Sequence, residues 1–438
     1  MEWMGNLNEY EKLVIRMNTP RVVIDNAVCA NATLVKIDSA RKHEILLEAI
    51  QVLTDLNLTI KKANISSDGR WFMDVFHVTD QNGNKLTDES VLSYIKQSLA
   101  TNNAPKSNGF KGQTALELTG PDRQGLLSEV FAVLSDFQCN VVEAKVWTHR
   151  SRMASLIYVK DEDSGSAIED AHKINQIEGR LKNVLKGNNS IRTAKTTASM
   201  VVTHTERRLH QMMFADHECE RTSYSVEEAT TPSVSVQNWL EKGYSVVYVH
   251  SRDQPKLLFD IVCVLTDMGY IIFHATIDSN FGKSYQEFHI RHVGGSPISS
   301  EAERQQVIQC LQTAIDTRAS EGIRLELCTA DRRGLLSDVT RTFRENGLSI
   351  TRAEISTSGK MAENVFYVTD VAGEPVDPKV IKALQQKIGL SSLKVKEPLM
   401  FWQGSTTREE STGSINLFSL GSIVKRNLYN LGLIRSCS

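Results

Sequence analysis

Two short stretches of the chain carry residue types suited to holding a small zwitterion. One reads Thr119-Gly120-Pro121-Asp122-Arg123-Gln124-Gly125-Leu126-Leu127, the other Thr329-Ala330-Asp331-Arg332-Arg333-Gly334-Leu335-Leu336. Each is an acidic turn closed by glycine and followed at once by an apolar helical pattern. The first N–H groups of a helix have no intrahelical acceptor. Backed by the positive end of the helix dipole, they can donate to a carboxylate, an attraction of ~0.3–1 kcal/mol at an exposed site. Glycine lets such a ligand approach the backbone, and Asp122 or Asp331 can accept from its ammonium. The same residues also serve local structure alone, since Asp caps helices and glycine relieves tight turns.

Other groupings carry less chemistry. His204, His210, His217 and Cys219 fit neither a common zinc spacing nor one helix face, so no metal is expected. Arg207, Arg208 and His210 read as a solvated or docking face. Trp71 and Phe72 lie in a strand-like run, where RNA-binding sandwiches stack bases. The basic-glycine-aromatic signature is missing, however, so core or interface positions and no nucleic-acid partner are expected. There is no G-x-S-x-G elbow, P-loop, strand-linked G-x-G-x-x-G or H-E-x-x-H, and the expectation is no catalytic residue and no cofactor.

The elements that position the two turns belong to a repeat. From Glu44, Gly125, Lys256 and Gly334 the chain reads EILLEAIQVLTDLNLTIKKANI, GLLSEVFAVLSDFQCNVVEAKV, KLLFDIVCVLTDMGYIIFHATI and GLLSDVTRTFRENGLSITRAEI, aligned without a gap. Apolar residues recur at one helical spacing, as in Leu126, Leu127, Val130 and Leu134. That stripe must cover something. A strand precedes each helix (ATLVKI, TALELT, SVVYVH, IRLELC) and two follow, one with an alanine at the same place: Ala63, Ala144, Ala275 or Ala353. The third strand closes at Asp80, Asp161, His292 or Asp370, and a second helix follows. The order β-α-β-β-α, with a short and poorly marked last strand, is that of an α+β, ferredoxin-like βαββαβ sandwich, here in four tandem copies arranged as two pairs.

In each second strand the apolar phase slips between Ile60 and Ala63, Val141 and Ala144, Ile272 and Ala275, and Ile350 and Ala353. Strict alternation cannot keep both on one face, so the slip predicts a β-bulge or strand start at Lys61–Lys62, Val142–Glu143, Phe273–His274 and Thr351–Arg352. The repeat divides the chain into a segment at 1–30, modules at 31–105, 112–198, 244–320 and 322–400, a linker with a short amphipathic helix at 199–243, and a tail at 401–438. That tail has apolar residues with Lys425, Arg426 and Arg435, a pattern for docking on the protein's own sheets or for a membrane interface.

Composition agrees with several small cores. The chain has 438 residues, 50 basic and 52 acidic side chains, a net charge of −2 and 41% hydrophobic residues. A near-neutral chain has no global field for gathering polyanions. Seven cysteines without a C-x-x-C pair, no secretory leader and no window of ~18 apolar residues point to an intracellular, cytoplasmic or nuclear protein without a membrane span.

The D-R-x-G-L-L turn in this element order resembles that of the ACT domain, a small regulatory module. Four units with HTERRLHQMMFAD between the second and third resemble the plant ACT-domain-repeat (ACR) proteins, related through their ACT units to the bacterial glutamine-sensing uridylyltransferase. The resemblance implies a non-enzymatic regulatory protein. It would bind an amino acid, glutamine among the candidates, at interfaces between paired units and signal to a protein partner; a scaffold without a metabolite is the alternative. Carried onto this chain, the ligand-binding residues are Asp122, Arg123, Gln124, Gly125 and Leu126, with Asp331, Arg332, Arg333, Gly334 and Leu335. The first unit departs from the motif with Arg41-Lys42-His43-Glu44, the third with Asp253-Gln254-Pro255-Lys256. Sequential or crossed pairing of the units, and a homodimer, both stay open. Valine at Gly125 and Gly334 is expected to remove ligand response with the fold intact.

Overall fold

The computed structural model describes residues 20–40, 45–67, 71–100, 112–149, 151–186, 195–199, 204–214, 233–280, 282–319 and 322–396. Module 1 runs β1 (Arg21–Asp25), β2 (Thr33–Ala40), α1 (Ile45–Asp55), β3 (Thr59–Ser67), β4 (Trp71–Thr79) and α2 (Glu89–Ala100). Module 2 has β5 (Thr114–Pro121), α3 (Leu126–Asp136), β6 (Cys139–His149), β7 (Arg152–Asp161), α4 (Ala171–Lys186) and β8 (Lys195–Ser199), and helix α5 (Thr205–Phe214) follows it. Module 3 comprises β9 (Ser233–Trp239), β10 (Tyr244–Arg252), α6 (Leu257–Asp267), β11 (Tyr270–Asn280), β12 (Lys283–His292) and α7 (Glu301–Ala319). Module 4 has β13 (Ile323–Ala330), α8 (Leu335–Glu345), β14 (Leu348–Ser358), β15 (Met361–Asp370), α9 (Pro378–Ile388) and β16 (Leu393–Lys396).

The modules pair crosswise. One compact unit joins modules 1 and 3 in an eight-stranded sheet ordered β1-β2-β4-β3-β11-β12-β10-β9; the other joins modules 2 and 4, ordered β16-β13-β15-β14-β6-β7-β5-β8. Modules 2 and 4 carry the ferredoxin-like edge strand last, as β8 and β16. In modules 1 and 3 a strand from before the repeat, β1 or β9, takes that edge instead. Both lie N-terminal of the stretches read as modules, because a five- or seven-residue strand leaves little periodicity to find.

Each unit closes along one antiparallel seam. In the first, β3 pairs with β11, and Ala63 faces Ile277 while Ile65 faces Ala275. In the second, β6 pairs with β14, and Ala144 faces Ile355 while Val146 faces Ala353. All four alanines are fully buried. A small side chain opposite a branched one lets the first helices of the paired modules, α1 with α6 and α3 with α8, pack over the seam. In the second unit a single continuous core runs through both modules, from Leu116 and Phe131 to Phe343 and Phe366.

The predicted phase slip is a β-bulge in all four modules. Register breaks between Ile60 and Lys62, Val141 and Glu143, Ile272 and His274, and Ile350 and Arg352. In the second unit the backbone beside each bulge is tied across the seam: Thr148 Oγ1 donates to the Ile350 carbonyl and Thr357 Oγ1 to the Val141 carbonyl, both at 3.1 Å. The bulge thus re-aims the strand and presents an acceptor to the neighbouring module.

Helix α5 covers the sheet face opposite the other helices in the second unit, burying Leu209, Met212 and Met213 against Trp147 and Ala154. His210 is buried with it, and Arg208 forms a two-pronged ion pair with Glu117. This is a docking face and not a solvated one. Phe72 lies in the core, whereas Trp71 is 45% exposed. Among the described residues no helix is long and apolar enough to cross a membrane, and none forms a metal-ligand cluster. His217, Cys219, the Arg41–Glu44 loop and the C-terminal tail lie outside the described residues.

The third strand of every module places a polar residue at one core-facing position: Asp74, Ser155, Gln286 and Asn364. Asp74 lies between Ile37 and Ile65 with no accessible surface, and neither carboxyl oxygen has a hydrogen-bond partner. Burial lifts its pKa to about 7. An unfolded aspartate ionises near 4. The folded chain therefore holds the extra proton between those values, and stability falls as pH rises across that window. Asp74→Asn removes the ionisation, and it should gain on the order of 3 kcal/mol relative to wild type between pH 5 and pH 8. Urea melts at the two pH values measure this; parallel shifts of both proteins would show that Asp74 is not the source.

Candidate functional site

The two glycine turns flank the seam of the module 2–module 4 unit. α3 and α8 run antiparallel over it, so each turn meets the far end of the other module's helix. Gln124 donates to the Arg344 carbonyl at 3.3 Å, and Arg333 donates to the Ser135 carbonyl at 2.8 Å. Arg333 also lies 3.5 Å from Glu162. Ser337 Oγ reaches the Ser128 carbonyl at 3.4 Å. Side chains from the turns thereby add a second donor to the Arg344 and Ser135 carbonyls, which already accept from the Gly347 and Gln138 N–H groups.

Glycine is required for backbone conformation at both places. Gly125 and Gly334 are the N-caps of α3 and α8, with φ of 83° and 78°. Neither helix has a side-chain cap, so the aspartates are not its N-caps. The N–H groups of Asp122 and Asp331 instead donate to Ser151 and Lys360 carbonyls at 2.7 and 2.8 Å, tying the turn to the hairpin between the second and third strands. Burial raises the Asp122 carboxyl to about 6, against the opposing pull of the Arg123 N–H and guanidinium. Burial likewise raises Asp331, opposed by the Arg332 N–H.

The sequence-predicted site residues do not all face one space. Leu126 and Leu335 are core side chains, and their N–H groups are spent on the Arg123 and Arg332 carbonyls at 3.1 Å. Their side chains pack in the core, because a tight turn closes before the helix begins. Helical bonding starts with Glu129 N–H to Gly125 and Asp338 N–H to Gly334. The N–H groups available to an anion are those of Leu127 and Ser128, and of Leu336 and Ser337. Arg123 is held by Glu129 through bonds of 2.8 and 2.5 Å and by the Val184 carbonyl at 3.2 Å; Arg332 pairs with Asp338 at 2.7 Å. Both cations are thus neutralised within their own modules.

Sequence reasoning missed Arg344, whose side chain lies against Gly125: a β-carbon there would come within 2.2 Å of Arg344 Cδ. No motif marks it, since its relevance depends on which modules pair. Module 3 keeps the aspartate of the turn. The Asp253 N–H bonds the Gly282 carbonyl at 2.9 Å, and burial raises its carboxyl against the Lys61 charge and the Ser279 hydroxyl. Lys61 is the bulge residue of module 1, so in that unit too the paired module supplies charge to the turn. Lys256, in place of glycine, holds φ of 66°.

Sandwiches joined edge to edge through their second strands, with glycine turns over the seam, define a paired regulatory module of the ACT type. Residues 28–106 match the ACR family N-terminal ACT domain, and residues 114–175 and 323–389 match the ACT domain. The chain is 60% identical to ACT domain-containing protein ACR8 of Arabidopsis thaliana over 441 residues, covering 100% of both. It is 51% identical to ACR4 of the same plant, covering 98% of each. A 192-residue stretch, 37% of this chain and 22% of the other, is 27% identical to the bifunctional uridylyltransferase/uridylyl-removing enzyme of Vibrio campbellii. The chain belongs to the ACR family of ACT domain-containing proteins.

The valine test must be revised on this geometry. At positive φ any β-carbon is strained, and at Gly125 it also collides with Arg344. At Gly334 the nearest atom is Ser135 Oγ, 3.9 Å away. Gly334→Ala should cost about 1 kcal/mol and Gly125→Ala roughly 2–3 kcal/mol. Adding Arg344→Ala should recover part of the second loss only. Denaturant melts of the three variants and wild type test this, and equal costs at the two glycines would contradict the packing described.

Proposed function

We propose that the module 2–module 4 unit binds a small amino acid at its seam and that this non-catalytic protein passes the occupancy to a protein partner. The observation that carries the reading is a half-buried aspartate, Asp122, in the turn before α3, whose closing glycine, Gly125, has Arg344 of the paired module against it. A zwitterion complements that set. Its carboxylate would meet the Leu127 and Ser128 N–H groups and the Arg344 guanidinium, and its ammonium would meet Asp122. The Asp331 turn offers a second place of the same kind. Binding would signal only through unequal affinity for two arrangements of the seam. Membership in a family of ACT domain-containing proteins supports a regulatory role, and no catalytic role is proposed.

Thermal-shift screening against the twenty amino acids, glutamine included, tests the reading. A hundredfold excess over Kd stabilises by ~2.7 kcal/mol, which is readily seen. Because Asp122 must be ionised to hold an ammonium, affinity should weaken as pH falls through about 6. Asp122→Asn should abolish both the affinity and its pH dependence. If none of the twenty shifts the melt, the four sandwiches are better read as a protein-binding scaffold.

A further inference from the structure

We infer that α5 is a clasp across the module 2–module 4 seam, with Glu206 as the residue that makes its docking depend on seam geometry. The proposal does not require the amino acid site above. The Glu206 side chain is 4% exposed and meets one cation from each module: Lys145 Nζ of module 2 at 2.9 Å and Arg352 of module 4 at 3.5 Å. Those cations lie on the seam strands themselves. Lys145 is in register with Glu354, and Arg352 is in register with Trp147, the residue on which α5 packs. Arg352 is held in turn by Glu354 at 2.8 Å. One carboxylate of a ten-residue helix thus closes a charge network spanning two modules.

The chemistry of the contact suits a reversible clasp. A helix meant only to cover a sheet would dock more firmly through apolar groups, because buried ions pay a desolvation penalty that their mutual attraction repays only in good geometry. Here Glu206, Lys145, Arg352 and His210 lie in or beside the interface, and Tyr158 and Thr205 share a hydrogen bond of 3.1 Å. If module 4 shifts against module 2 by about the tolerance of a hydrogen bond, roughly half an ångström, Arg352 leaves Glu206 and a buried carboxylate loses a partner. The apolar contacts of Leu209, Met212 and Met213 would not sense that shift, since Trp147 and Ala154 both belong to module 2.

Hydrogen exchange of the full-length protein, read by mass spectrometry, tests the clasp. In Glu206→Ala, amides of 205–214 should exchange at least tenfold faster than in wild type. Amides of 143–147 and 352–356, on both sides of the seam, should speed up severalfold. Glu206→Gln, which keeps the shape of the side chain, should show the same pattern more weakly and covers the case in which the alanine variant folds poorly. Leu209→Ala should loosen the later turns, 209–214, while Glu206 stays paired and 352–356 is unchanged. Faster exchange of α5 with an unaltered seam in both Glu206 variants would overturn the proposal, as would an equal effect of Leu209→Ala on 352–356.

Discussion

Both units depend on one constraint: a strand edge must be paired, and each sandwich leaves its second strand at an edge. The structure meets it by laying the second strands of two modules antiparallel, with alanine opposite a branched residue on either side of a local two-fold. The rest follows from that pairing. Alanine lets the first helices close over the seam. The bulge rotates the strand so that its earlier half serves the module core and its later half serves the joint. In the second unit the carbonyls beside the bulges become acceptors for the neighbour's threonines.

The glycine turns gain their setting from the same joint. Antiparallel first helices put the start of one beside the end of the other, so dipole ends of opposite sign meet and a side chain of each turn donates to a carbonyl in the neighbouring helix's last turn. Neither turn is complete within its own module. Arg344 of module 4 lies against Gly125 of module 2, and Asp253 feels Lys61 of module 1. The sandwiches are therefore structurally complete in pairs, and the two faces of the second joint carry different elements: turns on one, the docked helix α5 on the other.

Much of this was legible in the sequence. The four aligned stretches gave helix, strand and alanine positions, and the shift of apolar phase gave the bulge, because a two-residue period cannot hide an inserted residue. Crossed pairing was not legible, since all four modules present the same alanine-and-branched edge. The residues at the local two-fold hold a clue in hindsight. Lys145 faces Glu354 in one unit, and Asn64 faces Thr276 in the other. Sequential pairing in that register would set Lys145 opposite Asn64 and Glu354 opposite Thr276, losing the juxtaposition of opposite charges across the strands. The glycine turns were legible as motifs but not as geometry. Their leucines proved to be core, their arginines were taken by Glu129 and Asp338, and the facing Arg344 lies some two hundred residues away.

Crossed pairing also bears on how the chain is made. The partner of β3 is translated about two hundred residues after it, on the order of 10–40 s at a ribosomal pace of ~5–20 residues per second. During that interval two nascent sandwiches expose matching unpaired borders, and the wrong neighbour arrives first. Crossed pairing therefore requires the first two sandwiches to keep those borders apart until the later modules are made.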